Sequence, residues 1–172
     1  NNGFEYKDKF SKEMEDVLIT SLNASCVSYE TLDFDFDVEV NYTEDLKDGL
    51  YKSWHPNGEV NVEVNYKNGL MIGDYKSWYS SGQLKKQRFY VEGKEDGVGI
   101  LYWSNGNIAH QTDWVNGKPH GLMVSYYRNG QMEKYSEVSN DNFHGVTRHY
   151  REDGTLVKLE TFKDNVRHGL YK

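Results

Sequence analysis

The chain is 172 residues long with a formal net charge of −7, and only 37% of it is hydrophobic while 15% is aromatic. That acidity works against general phosphate-backbone binding, which needs clustered Lys and Arg, so no nucleic-acid partner is expected and a basic protein partner fits better. The single cysteine, Cys26, excludes an intrachain disulfide and a cysteine-based zinc site, and no apolar run approaches membrane-spanning length, so no membrane insertion is expected.

The chain opens with "NNGFEYKDKF", without Met. The expectation is that something was removed, by a signal peptidase or in making the protein, with export slightly favoured over a cytoplasmic location. Phe10, Met14, Val17, Leu18 and Leu22 then recur at helical spacing in "KFSKEMEDVLITSL". This predicts a short amphipathic helix over about 8–22, placed to cover one open end of the array that follows. "FDFDVEVNY" at 34–42 stands one period before "GEVNVEVNY" at 58–66, so a degenerate unit precedes the regular ones.

From there the chain repeats. Glycines fall at 49, 73, 97, 121, 145 and 169, a spacing of 24, and Gly58, Gly82, Gly106, Gly130 and Gly154 follow nine residues behind the first five. A fixed period makes each repeat one supersecondary unit stacked on its neighbours. The second glycine closes "HPNG", "YSSG", "WSNG", "YRNG" and "REDG". Type I′ turns would need positive φ at Ser81, whereas a type I turn followed by a left-handed Gly suits all five, so these glycines are structural. The flanking segments alternate with period two: Leu50, Lys52 and Trp54 against Tyr51, Ser53 and His55, then Val60, Val62, Val64 and Tyr66 against Glu59, Asn61, Glu63 and Asn65. That is strand alternation. A second turn ends each unit, at "KNG", "VEG", "VNG", "SND" and "KDN".

The expected fold is all-β: a single-layer antiparallel meander, or solenoid, of 24-residue hairpin repeats. An N-terminal segment, 1–33, is followed by the array, 34–172. The array divides into a degenerate unit (34–48), full units (49–72, 73–96, 97–120, 121–144, 145–168) and a partial unit (169–172). At about 4.8 Å per strand, each unit advances roughly 10 Å and five span on the order of 50 Å. Leu170–Lys172 read as a bare edge strand through which copies could self-associate.

Pattern and spacing give no catalytic constellation. His120, His144 and His168 each precede a unit glycine. Their expected separation of roughly 10 Å bars them from one metal ion, and capping of turns or stacking is the better role. Cys26 has no base nearby in sequence, and no nucleophile-elbow, zincin or P-loop motif appears. No cofactor is implied. Asp33, Asp35, Asp37 and Glu39 alternate with Phe34, Phe36 and Val38, and Glu59 and Glu63 would extend that acidic face. A solvated face, a docking surface for a basic partner and a weak cation site are its possible readings.

Two aromatic columns precede the turns: Trp54, Trp78, Tyr102, Tyr126 and Tyr150, and one residue on, His55, Tyr79, Trp103 and Tyr127. One column is expected to build the thin core. The other, with Tyr51 and Tyr75, is the candidate partner-binding surface.

The run of Gly, an aromatic a few residues on, Asn/Asp-Gly, then an aliphatic and a later aromatic resembles the MORN variant repeat, over roughly residues 34–172. Departures are Gly99 in place of the Tyr of "GLYK" and Val138 in place of the late aromatic. Arrays of this repeat occur in bacterial proteins classed as antitoxins of toxin–antitoxin modules. The resemblance implies a twisted antiparallel sheet used for protein contact, with a cognate toxin as one partner. Related repeats accompany lipid kinases, but no kinase Gly-rich loop or catalytic Asp motif is present here. The sequence therefore reads as a non-enzymatic antitoxin or immunity-type binder. A surface-attached structural or adhesion module is the alternative, and a hydrolase is the least supported.

Overall fold

The computed structural model describes residues 6–7 and 38–169. Every element among them is a strand, joined in one 14-stranded sheet. The first two are β1 (Tyr6–Lys7) and β2 (Val38–Thr43), followed by long pairs: β3 (Leu46–Trp54) with β4 (Val60–Lys67), then β5 (Leu70–Trp78) with β6 (Leu84–Val91). The third unit differs, its first strand being broken into β7 (Lys94–Glu95) and β8 (Gly97–Tyr102) before β9 (Ile108–Val115). Regular units resume with β10 (Lys118–Tyr126), β11 (Met132–Ser139), β12 (Asn142–Tyr150) and β13 (Leu156–Lys163), and β14 (Val166–Arg167) comes last. Apart from β7, which pairs with β6, each strand pairs antiparallel with its neighbours in chain order.

Two turn types alternate, and composition explains both. At the first, Gly58 N donates to His55 O and His55 N to Glu59 O, at 2.9 and 2.7 Å, with Gly58 at φ +82°. The same pair of bonds recurs around Gly82, Gly106, Gly130 and Gly154. This is the expected type I turn closed by a left-handed Gly. At the second, both central residues take positive φ, as in Asn68–Gly69 (48° and 78°) and Asn140–Asp141 (49° and 71°). Those are type I′ hairpins, and Asn and Asp tolerate that region well enough to stand in for Gly.

The bulge at the first turn shifts the register between Ser53 and Trp54, so that Val60 rather than Asn61 opposes Trp54. Val60 thereby leaves the row of Val62 and Val64 and lines a shallow recess with Glu63 and Trp78. Simple alternation had grouped all three valines; the extra residue of the bulge is the reason it fails there.

Burial concentrates on one face. Val64 retains 1% of its exposure and Ser136 1%, and Val40, Ser53, Ser77, Tyr90, Val138, Thr147 and Glu160 are also buried. Direct cross-strand partners tie these into rows, such as Val40–Tyr51–Val64–Tyr75 across β2 to β5. The core is therefore built on the face of Tyr51 and Val64 and not, as expected, by the Trp54 column, which is half-buried on the other face. Burying one such Val contributes about 1.5 kcal/mol, so the sheet depends on summing many modest terms.

Candidate functional site: an aromatic sheet face and its turn edge

On the buried face the tyrosines meet in edge-on pairs: Tyr51 with Tyr66 at 6.2 Å between ring centroids, and Tyr75 with Tyr90 at 6.1 Å. The Lys47 ammonium lies 4.8 Å from the Tyr51 ring and 5.1 Å from that of Tyr66. Cross-strand aromatic pairs of this kind stabilise a sheet beyond their area alone. Tyr51 and Tyr75 remain half-buried, so each still offers ring surface outward.

The remaining candidates, His55, Tyr79, Trp103 and Tyr127, run along the first turn edge and share one contact. Tyr79 Oη donates to Tyr102 O at 2.7 Å, Trp103 Nε1 to Tyr126 O at 3.1 Å and Tyr127 Oη to Tyr150 O at 2.8 Å, while His55 Nε2 lies 2.9 Å from Trp78 O. Each side chain thus ties its unit to the next. Asn57, Asn105 and Asn129 repeat the device two residues on, donating to Ser80, Arg128 and Glu152 carbonyls. Sequence reading found this column but not its bonds, because a spacing of 24 does not say which carbonyl lies alongside.

Two of the three histidines, His120 and His144, cap turns. Asn140 N donates to His120 Nδ1 at 3.4 Å, and His144 Nδ1 lies 3.1 Å from Asp164 Oδ1. Asp48 and Asp96 occupy the same repeat position and accept from Asn68 N and Asn116 N at 3.4 and 3.1 Å. Of the acidic candidates, Asp33, Asp35 and Asp37 lie outside the described residues, as do Cys26, the expected helix and the expected edge strand Leu170–Lys172. Glu39 and Glu63 both stand directly opposite Lys52, whose ammonium is 3.4 Å from Glu63. Glu59 is exposed beside Val60 and Trp78 in the shallow recess. The described part of that face therefore alternates in sign rather than being uniformly acidic.

The MORN repeat variant signature matches residues 47–68, 71–92, 119–140 and 143–164, just over half of the chain. The chain belongs to the MORN repeat variant family. No curated protein matches it significantly. The family is one of repeats rather than of catalytic domains. Between its second and third matches the MORN variant pattern lapses, and the parent MORN repeat matches 89–108 instead.

That lapse coincides with the broken strand. Arg88, buried where Val64 sits one unit earlier, ion-pairs with Glu95 at 3.0 Å and stacks 5.6 Å from the Trp114 ring. Tyr90 Oη donates to the same carboxylate at 3.2 Å. Burial and the Glu95 charge push the Tyr90 phenol up to about 12. A side chain on Gly99 would run into the Arg88 Cδ, 2.7 Å away, so the missing tyrosine makes room for the guanidinium. Trp114 Nε1 is buried without a hydrogen-bond partner among the described residues.

Proposed function

We propose that this chain is a non-enzymatic protein-binding protein, of the antitoxin or immunity type, that receives its partner on the face of Tyr51 and Tyr75. His55, Tyr79, Trp103 and Tyr127 would form the turn-edge margin of that contact. The observation carrying this reading is that half-buried Tyr51 and Tyr75, one in each of the first two full units, are held edge to face by Tyr66 and Tyr90. Rigid aromatics with polar tips are the residue type that interfaces concentrate. Membership of a repeat family supports binding in general, and the toxin partner is the specific step added here.

Co-purification of the tagged chain with the product of the adjacent gene tests it. A stable complex is expected, and Tyr75→Ala should weaken it while circular dichroism shows the sheet retained. Failure to capture that protein, together with unchanged growth protection by the variant, would overturn the reading.

A further inference from the structure

The face of Tyr51 and Tyr75 carries a charge opposite to that of the chain. Lys47, Lys86, Arg88, Lys134, Lys158 and Arg167 project from it, as placed by their ring stacking, ion pairs and cross-strand partners. Among the described residues Glu95 and Glu160 are its ion-paired carboxylates, each already surrounded, and exposed Glu133 lies near His149. Glu95 has Arg88 at 3.0 Å and Lys86 at 4.0 Å, while Glu160 has Lys158 and Arg167 at 2.8 Å and His149 at 3.8 Å. Cations are left in surplus.

The surplus lies along a line. Lys86 opposes Leu101, which opposes His110; Ser125 and then Lys134 continue the row, and His149 joins Lys134 to Lys158. Beside His110 and Lys134 a shallow recess is lined by Thr112, Ser125 and Ser136 together with the apolar Met123, Val124 and Phe143. Burial first, and then the flanking ammoniums of Lys134 and Lys158, hold the His149 imidazole below its ordinary value against the opposing pull of Glu160 and Glu133.

The pitch of this line selects a ligand. Lys86, His110, Lys134 and Lys158 are two strands apart in turn, so they recur at roughly 9.6 Å. A polyproline II chain turns once in three residues, advancing roughly 9.3 Å. An extended β-strand peptide presents like-facing side chains every ~6.7 Å and falls out of step after one unit. The turn edges that border the line are mixed in sign: exposed Glu44, Asp45, Glu92 and Asp164 alternate with exposed Lys67, Lys94, Lys118 and Lys163 on one, and Glu152 and Asp153 stand with Arg128 and Arg151 on the other.

We propose that this face binds an extended acidic segment of a partner protein. The segment lies across the strands in polyproline II conformation, with a carboxylate at every third residue meeting Lys86, His110, Lys134 and Lys158. This rests on the protein-binding reading above and names the chemistry of the partner.

The test uses the full chain and a fluorescent peptide of about five Glu-Pro-Pro triplets, followed by anisotropy at low salt. A Glu-Pro repeat of equal charge and vesicles of phosphatidylglycerol and phosphatidylcholine serve as competitors. The triplet peptide should bind in preference to the Glu-Pro repeat and lose affinity as salt rises. His110→Glu/Lys134→Glu should weaken it by roughly tenfold, with Lys134→Gln intermediate and Lys134→Arg close to the parent. Melting curves identify any variant that fails to fold, and Lys134→Gln, the mildest change, then decides. Absence of peptide binding, equal binding of the two repeats, indifference to Lys134→Gln, or vesicles outcompeting the peptide would each overturn the proposal. A co-purified partner that the triplet peptide cannot displace sinks this inference and leaves the binding reading standing. Peptide binding without any captured partner does the reverse.

Discussion

The second and third units meet their predecessors in different ways. Where the first unit meets the second, Val64 faces Tyr75, with Met71 alongside and the first strand of the second unit running unbroken over nine residues. Where the second meets the third, Arg88 faces the tyrosine-free Gly99, Glu95 replaces the methionine, and the strand is split by a residue at Asp96. The same scaffold position thus holds an apolar pair in one place and a buried ion pair in the other. Charged groups lose solvation on burial, and an ion pair seldom exceeds a well-packed apolar set in net stability. The third unit is therefore the weak joint of the array. It is also where the positive line begins, at Lys86.

The largest expected effect comes from forcing one arrangement onto the other. Gly99→Tyr restores the repeat pattern but collides with Arg88, and should lower stability by about 3 kcal/mol in urea unfolding. Transplanting the whole earlier set, Arg88→Val/Glu95→Met/Gly99→Tyr, should recover that loss and exceed the parent by about 1 kcal/mol. Strong coupling among the three is the signature. If Gly99→Tyr alone is tolerated, the two joints do not differ in the way described.

A smaller effect separates the joints by pH. Tyr90 is pushed up to about 12 from 10.0, first by burial and then by Glu95. The folded state thus favours the neutral phenol. Its contribution is complete below pH 10 and is lost as pH rises toward 12. The unfolding free energy from urea titrations across that window should fall on the order of 1 kcal/mol less in Tyr90→Phe than in the parent, allowing for solvent screening. Tyr66, at the earlier joint, is raised as well by burial and its tyrosine neighbours, so Tyr66→Phe is the matched control. An identical pH response in Tyr90→Phe and the parent would remove Glu95 from the account.

Much of this was legible in the chain itself, because the repeat exposes its own rules. Five left-handed glycines could be placed from "HPNG" to "REDG", since Pro56 and Ser81 exclude the alternative turn. Strand alternation assigned Tyr51, Ser53 and Val64 correctly and misplaced Val60, because a bulge inserts its extra residue without altering the 24-residue period. Arg88 escaped notice for a related reason. A single Arg in a strand reads as a solvated residue until the absence of a side chain at Gly99 shows where its guanidinium lies. The start of the chain held a further clue. Tyr6–Lys7 pair with Val40 and Glu39 just as Tyr51–Lys52 pair with Val64 and Glu63, so the "YK" of the repeat recurs in the first strand of the sheet. A two-residue match is too short to recognise by period alone.

The smallest effect concerns the turn edge, and it tests whether coupling there is local. Tyr127 donates to Tyr150 O at 2.8 Å, but the fifth unit has exposed Arg151 at the equivalent position. The ladder of side-chain bonds therefore ends at the joint between the fourth and fifth units. Tyr127→Phe should cost about 0.5–1 kcal/mol, at the low end because water can still reach the freed carbonyl at this edge. In an array whose units touch only their neighbours, that loss should appear as faster amide exchange in β12 and β13 and leave β3 to β5 unchanged. Uniformly faster exchange would mean that the sheet opens as one body, and the third-unit joint would then no longer divide it.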